Sequence, residues 1–493
     1  QVGEEALAAS IVLSFYTPDL GNAQSDAKKL YFVGDSYLAK GNVELAEFVM
    51  RYANSDSSSL FILLGLAECL MRREQWRAAE DVLAKIPQKD RESGGFLYVC
   101  AKLYASTGRC DSALTLISQC LLERPESKSA QYLKAYSLDG LNRYSESEPI
   151  LLEVIEQEPE AKKCLATMCF SQGIMDKGFY YFQYRVEEKA WFRNLVQSIP
   201  YFKAWDGEKN INKLMVIDEQ GIGDKIRYAF FYQALSQQVE EIYVVTDGRL
   251  KTLLERSFDK LTVVPMTGFP PTKYAIDHAV PHLFSVPDLG LVFNLPLIAG
   301  NGDLKEIGFT RGQGYLKPQP ESVQYWSDIF NRKKGVVNIG VCWRGPVAKT
   351  GREDWYTSLS DLLTIFTGME DRVNIVSLQF NMDQAERNTL SHVSPDNLIS
   401  TNIDMRDDFD GMAGLIGALD LVITPATALF ELSGALGIPS WVFATKARKK
   451  WNLESEYMKC FYPTVETLYS DEPWQDVFGL MRERIAERIR SLS

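Results

Sequence analysis

Between residues 27 and 160 small side chains recur on a fixed beat. Gly34, Ala67, Ala101 and Ala135 lie 33, 34 and 34 positions apart, and Ala46, Ala79, Ala113 and Ser147 each follow 12 positions later. Tyr37, Leu70, Tyr104 and Leu138 stand three positions past the first small residue, and Pro125 and Pro159, 34 apart, close the last two units. The pattern predicts four stacked helix pairs, because small side chains let paired helices approach closely. Residues 1–26 are expected to form a degenerate pair. The pattern continues over 163–188 as one more pair, where Phe179, Tyr180, Tyr181, Phe182 and Tyr184, followed by Arg185, predict a docking surface.

Pro200, Trp205, Asp206 and Gly207 then interrupt the helical run, and the period changes. Short apolar runs at 214–217, 242–245, 261–264 and 274–276 are predicted strands, separated by a helix over 225–239 and a short one from Arg249. A second series places strands at 339–343, 373–378, 398–402, 421–424 and 440–443, a helix at 427–436 and a closing helix over 474–492. Strands alternating with helices at this spacing build a parallel sheet. Two series predict two Rossmann-like lobes, with the Pro- and Gly-rich stretch 281–320 as the loop system between them. The fold class is therefore α plus α/β: a helical domain over 1–204, a first lobe over 205–325 and a second over 326–493.

Composition narrows the class. A chain of 493 residues, 46% hydrophobic and 24% charged, has room for two to four ordinary cores. A net charge of -12 argues against a general nucleic-acid or anionic-membrane binder. The longest apolar runs fall short of the roughly 18 residues a membrane span needs, so a cytoplasmic protein is expected. The 8 cysteines lack paired metal-ligand spacing and only 3 histidines exist, so neither disulfides nor structural zinc are expected.

Two strand-to-helix turns carry candidate chemistry. Gly221-Ile222-Gly223-Asp224 follows the 214–217 run, where glycine serves either a positive φ or the close approach of a ligand. Residues 344–352 follow the 339–343 run and bring Arg344, Lys349 and Arg352. Thr427 is placed as the N-cap of a helix whose free N–H groups face the crevice, a ready anion site. His278 and His282 fall near the inter-lobe loops, and His282 is a candidate acceptor contact. Lys446, Arg448, Lys449 and Lys450 form a further cationic cluster, expected to be solvated.

With these residues laid out, the chain resembles bacterial proteins that join tetratricopeptide repeats to a GT-B glycosyltransferase module similar to the heptosyltransferases. The carriers are Trp205-Asp206-Gly207, residues 219–224, Gly340-Val341-Cys342-Trp343-Arg344-Gly345, Ser377-Leu378-Gln379, and residues 418–424 leading into Gly434 to Trp441; Trp451 also fits. The resemblance implies an inverting, metal-independent transferase that moves a sugar from a nucleotide-sugar donor. No cofactor is expected beyond that co-substrate. Its implied partner is a protein acceptor, flagellin among them, recruited by the repeats.

The resemblance also implies roles. Asp224 is the catalytic base, and Glu219, Gln220 and His282 lie on the acceptor side. The donor side comprises Gly221, Gly223, Trp343, Arg344, Lys349, Arg352, Gln379, Thr427 and Glu431, with Phe409 and Met412 near the nucleobase. Where many relatives have aspartate and histidine, this chain has Ala426 and Glu431. A buried glutamate there needs a partner, either a donor ribose hydroxyl or a protein cation. Two other functions stay open: a non-catalytic nucleotide- or partner-binding scaffold, and a polysaccharide or lipopolysaccharide sugar transferase.

Overall fold

A computed structural model of the chain describes residues 23–56, 59–185, 192, 194, 196–197, 200–218, 220–266, 271–292, 314–330, 335–345, 356–393, 398–399, 401–445, 453, 458, 461–470 and 474–491. They divide into two compact units between Ala161 and Lys162.

The first unit is a stack of helix pairs: α1 (Ala23–Ala39) with α2 (Val43–Asp56), α3 (Leu60–Arg72) with α4 (Trp76–Ala84), α5 (Gly94–Ser106) with α6 (Cys110–Glu123), and α7 (Lys128–Gly140) with α8 (Tyr144–Val154). These are the four predicted repeats, with the first helix starting four residues early. The small residues lie where paired helices cross. Ala46, Ala67, Ala79, Ala101, Ala113 and Ala135 have no exposed surface, and the Ser147 hydroxyl donates to the Ala135 carbonyl at 2.8 Å. At Gly34 a Cβ would stand 2.6 Å from Met50 Cε, so a larger residue would have to displace that buried methionine.

Each pair turns through one left-handed residue: Gly41, Glu74, Gly108 and Asn142 have φ of 79°, 58°, 81° and 57°. The first helices of successive pairs pack on one another. On them the Tyr31 and Phe61 rings meet at 5.9 Å and Lys102 reaches Glu68 at 3.3 Å. Burial, with Glu68 and Glu158 adding, pushes the Tyr98 phenol up to about 12.

The second unit begins with a fifth helix pair, α9 (Glu160–Ser171) and α10 (Met175–Phe182). Its apolar side chains belong to the sheet core: Phe170, Met175, Phe179 and Phe182 are buried with Trp205, Val216 and Phe231. The predicted docking surface is thus half used up inside the protein, with Tyr180 and Tyr184 exposed. The boundary near 205 marks where the sheet starts rather than where a compact unit ends. Arg185 fastens the pair. Its buried guanidinium donates to Asp288 at 2.6 Å, Ser285 at 2.9 Å and the Phe182 carbonyl at 2.8 Å.

The first sheet comprises β1 (Lys203–Ala204), β2 (Ile211–Ile217), β3 (Val239–Thr246), β4 (Leu261–Pro265) and β5 (His282–Ser285), all parallel, in the order β1-β5-β2-β3-β4. Between its strands lie α11 (Ile222–Tyr228), α12 (Tyr232–Ser236), α13 (Lys251–Ser257) and α14 (Pro271–Asp277); α15 (Leu289–Val292) follows β5. Three expectations change here. The 274–276 run is helical, because Pro271 opens α14 with its φ already set and three apolar residues carry no period of their own. The 281–320 stretch supplies the inner strand β5, α15 and the start of α16 (Pro320–Phe330), not only loops. The helix expected over 225–239 starts at Ile222, tightens to a 3-10 turn at Ala229–Phe231 and ends at Ser236.

The second sheet comprises β6 (Val337–Val341), β7 (Val373–Ser377), β8 (Leu398–Ile399), β9 (Leu421–Pro425), β10 (Ser440–Thr445) and β11 (Val465–Ser470), again parallel, in the order β11-β10-β9-β6-β7-β8. Strand β11 escaped the sequence pattern. Its helices are α17 (Leu359–Leu363), α18 (Gln384–Val393), α19 (Phe409–Ile416) and α20 (Ala428–Ala435), closed by α21 (Gln475–Ser491). After the edge strand β1, the first sheet continues from β2 in its middle, as the second starts from β6; each builds outward to one side, then crosses to the other. The switch points therefore fall between β2 and β5 and between β6 and β9, and the crevices open at the carboxyl ends of those strands.

Replacing Arg185 with Met would leave Asp288 buried without its main cation, a loss of roughly 3 to 5 kcal/mol. The Arg185→Met chain is expected to melt well below the parent, and Arg185→Met with Asp288→Leu to recover much of the difference by calorimetry. Equal melting of parent and single variant would reduce the pair to ornament.

Candidate functional site

The first turn picked from sequence lies at one switch point, and Arg344 and Gly345, the described start of the second, at the other. Strand β2 ends at Ile217, paired with Ser285 of β5, and the chain enters α11 through Gly221 as N-cap. Neither glycine there is left-handed: Gly221 has φ of -64°, and Gly223 lies inside the first turn of the helix. Gly223 is small for another reason. A Cβ on it would stand 3.2 Å from Glu431 Cγ and 3.7 Å from Ala428 Cα, so the missing side chain lets α11 and α20 close on each other.

Across that contact runs a buried charge network. Arg227, with a side chain wholly buried, donates through Nη1 to Asp224 Oδ1 at 3.1 Å and through Nε to Glu431 Oε2 at 3.2 Å, while Nη2 binds Glu431 Oε1. The open choice at Glu431 thus resolves to the protein cation, because a bidentate guanidinium takes both carboxylate oxygens. Asp224 differs from its partners: its side chain is 33% exposed against 0% for Arg227 and 4% for Glu431. Arg227 was missed in the sequence. The signal was there, a cation three positions after Asp224 on the apolar face of a helix.

Thr427 caps α20, accepting from Leu429 N at 3.3 Å, and its hydroxyl also meets Thr424 Oγ1 at 3.1 Å. Beyond β6 the loop is fastened from β7. Gln379, buried, accepts from Trp343 N at 3.2 Å and Arg344 N at 3.1 Å and donates to the Arg344 and Phe380 carbonyls. Glu386 on α18 holds Trp343 Nε1 at 2.8 Å and Arg344 Nη2 at 2.7 Å. Burial pushes the Cys342 thiol up to about 12, which leaves it no nucleophile at neutral pH. Of these expected donor contacts, Trp343 and Gln379 are buried and serve the loop, while Arg344 and Thr427 keep an exposed part.

Other expectations move. His282 is the first residue of β5, opposite Leu214, at the strand end away from the crevice. Met412 is in the core, and Arg249 covers the Phe409 ring with 5.6 Å between guanidinium and centroid. Neither offers a face to a base. Ala426 packs against the core as a partly buried side chain. No Asp-x-Asp motif is expected from the sequence reading, yet Asp408-Phe409-Asp410 has that form; Asp408 caps α19 through Gly411 N at 2.7 Å and Asp410 pairs with Arg256 Nη1 at 3.1 Å. Glu219, Lys349, Arg352 and residues 446–451 lie outside the described residues. A cavity of about 550 Å³ does open beyond β7 and β8, lined by Gln379, Phe380, Asn381, Arg387, Ile403 and Arg406 among others.

No protein-family model matches the chain. It is 22% identical over 351 residues to protein FlbA of Caulobacter vibrioides, covering 66% of this chain and 54% of that one. The chain thus spans about half the length of that curated relative. Among solved structures it is similar to a glycosyl transferase family 9 protein of Veillonella parvula, with 11% identity, 58% of this chain and 98% of that one covered and a TM-score of 0.39. It is also similar to E. coli ADP-heptose lps heptosyltransferase II, with 12% identity, 57% and 98% covered and a TM-score of 0.37. A Thermobaculum terrenum O-GlcNAc transferase mutant covers 87% of this chain and 93% of its own at 12% identity and a TM-score of 0.29. The chain combines a stack of helix pairs with a unit that carries two parallel sheets.

Removing Arg227 should cost far more than removing an exposed pair, because Glu431 would stay buried without its cation. Arg227→Met is expected to lose roughly 3 to 5 kcal/mol, and Arg227→Met with Glu431→Leu to regain most of it. Denaturant unfolding of the parent, both single variants and the double variant measures the coupling; additive losses would mean the two groups do not act as a pair.

Proposed function

We propose that the two-sheet unit transfers a sugar from a nucleotide donor to a protein acceptor recruited by the repeats, flagellin being the acceptor class the resemblance implies. One observation carries it. Asp224 is the part-exposed end of a buried charge network at the meeting of two switch-point helices, which is where an open α/β sheet receives its ligand. The guanidinium of Arg227 fixes where its carboxylate stands.

In this reaction Asp224 takes the proton of an acceptor hydroxyl as that oxygen bonds to the anomeric carbon. The bond from the carbon to the phosphate oxygen breaks, and the nucleotide leaves with the electron pair. A single displacement inverts the anomeric configuration. Lys349, Arg352 and the open end of α20 at Thr427 meet the charge that develops on the phosphate, without a metal ion. With Phe409 and Met412 committed elsewhere, the cavity beyond β7 and β8 is the better place for the nucleoside. Glu431 does not touch the ribose in this scheme.

A scaffold without catalysis is favoured by one fact, that Glu431 is spent on Arg227 rather than left for a ligand. Thermal shifts with CMP, UDP, GDP and ADP separate the readings, since a nucleotide at a hundred times its dissociation constant adds about 2.7 kcal/mol. One nucleotide is expected to stabilise the chain; none doing so would leave the scaffold. Asp224→Asn should then bind that nucleotide as the parent does while transfer falls roughly 10²-fold or more. Near-parental turnover would reduce Asp224 to a partner of Arg227.

Recruitment predicts a separate loss. Asp35→Lys and Tyr136→Lys change exposed positions on first helices α1 and α7 without touching the small residues at the crossings. The doubly changed chain is expected to keep its melting temperature and nucleotide binding yet fail to modify the protein acceptor, read by intact mass. Modification at the parental rate would take the acceptor off this face.

A further inference from the structure

The repeats carry a pattern of rings and carboxylates that their own packing does not require. Residues 1–161 hold 24 Asp and Glu against 16 Lys and Arg, so most of the chain's net charge of -12 lies there. The period places part of it. Three positions before the small residue of each first helix stand Tyr31, Leu64, Tyr98 and Tyr132, and one position after it Asp35, Glu68, Lys102 and Tyr136. Positions four apart share one side of a helix.

Contacts between successive first helices join these side chains into a strip. The Tyr31 ring meets Phe61 of α3 at 5.9 Å, a Cβ on Gly95 of α5 would stand 3.3 Å from Leu64, and Lys102 of α5 reaches Glu68 Oε1 at 3.3 Å. On α7 the Tyr132 and Tyr136 rings lie 6.2 Å apart. Glu68 stands between two of the tyrosines. Burial raises the phenols of Tyr31 and Tyr98, and Glu68 adds at both, with Asp35 adding at Tyr31 and Glu158 at Tyr98. The strip is open to solvent at Phe61, Asp35 and Tyr136. Its cations are already committed: Lys102 to Glu68, Lys128 to Glu153 at 2.8 Å and Arg72 to the Leu38 carbonyl at 3.1 Å, while the charge of Lys134 bears on Glu146 of α8. Asp35 has no ion pair among the described residues, and Lys102 meets only one oxygen of Glu68.

A carboxylate beside an aromatic ring suits one kind of guest, a lysine or arginine whose charge meets the carboxylate while its stem or guanidinium lies over the ring. We infer that the first-helix face takes a segment of a partner protein rich in lysine or arginine, with cations seated at Asp35 and Glu68 and apolar side chains against Phe61 and Tyr136. The excess of carboxylates over the repeats draws such a segment in and turns an acidic one away. The inference rests on the reading that the repeats recruit a protein, and it supplies the chemistry of that recruitment.

The test is binding of two synthetic peptides to the full chain, one of repeated Lys-Leu-Ser and its twin of repeated Glu-Leu-Ser, read by fluorescence anisotropy. The lysine peptide is expected to bind, more weakly as salt is raised, and the glutamate peptide not to bind. Asp35→Asn with Glu68→Gln should weaken the lysine peptide roughly tenfold while melting temperature and nucleotide response stay parental. Glu44→Gln with Asp81→Asn removes the same charge from exposed positions on the second helices α2 and α4 and should leave binding unchanged. The inference is overturned if the lysine peptide does not bind, if its twin binds as well, or if the two double variants weaken it equally, which would make the attraction one of bulk charge. Recruitment itself is judged separately, by whether the chain with Asp35→Lys and Tyr136→Lys still modifies the acceptor.

Discussion

The guanidinium of Arg227 is the constraint around which the sheet-bearing unit is arranged. It lies wholly inside the protein between a carboxylate on its own helix and one from α20. A buried charge of this kind adds little stability over an apolar pair, but it cannot be left half-made. The two helices must therefore meet in one register, and Gly223 is the residue that lets them come close enough. The consequence for function is positional. Asp224 is fixed at the seam and partly open to solvent, with its neighbours spent on holding it there.

How far this could be read from sequence depended on how local each signal was. The repeats were legible because a solenoid repeats its own contacts: Ala67 and Ala79 must both be small for one helix to cross its partner, and the demand returns 33 or 34 residues later. Strands β2, β6 and β9 were legible as apolar runs ending at aspartate, arginine or threonine. Strand β5 was not, since residues 282–285 are too short to show a period and sit in a Pro- and Gly-rich stretch. Residues 274–276 misled for the same reason, and Pro271 was the better guide.

The site was legible in its turns and not in its pairings. Gly223 and Asp224 stood out, yet the reason for the glycine is the distant helix α20, the one that Arg227 reaches at Glu431 across 204 positions. Sequence alone left Glu431 with two equal partners. Likewise Phe409 and Met412 have the side chains a nucleobase would want, but aromatic and thioether groups at helical spacing are as often core, and here one is core and the other lies under Arg249. The Asp-x-Asp form of residues 408–410 shows the converse: the pattern is present, and its carboxylates are committed to a helix cap and to Arg256.

The pairs between the two sheets share a polarity. Arg227, Arg249 and Arg256 come from the first sheet's helices and loops, and Glu431, Asp407 and Asp410 from the second's. Their weights differ. Asp407 is largely exposed, and a solvated pair of that kind is worth at most about 1 kcal/mol; the Arg256 pair is only partly shielded. The register of the two sheets therefore rests on Arg227, Gly223 and the apolar packing around Tyr315, whose hydroxyl reaches the Ile226 carbonyl at 3.0 Å and the Tyr462 hydroxyl at 3.3 Å. A ligand that entered between α11 and α20 would have to break the buried network and leave charges unpaired. One that approaches the exposed side of Asp224, with its nucleoside beyond β7, would not. The geometry thus favours substrates that meet at the rim of the helix contact over substrates that part it.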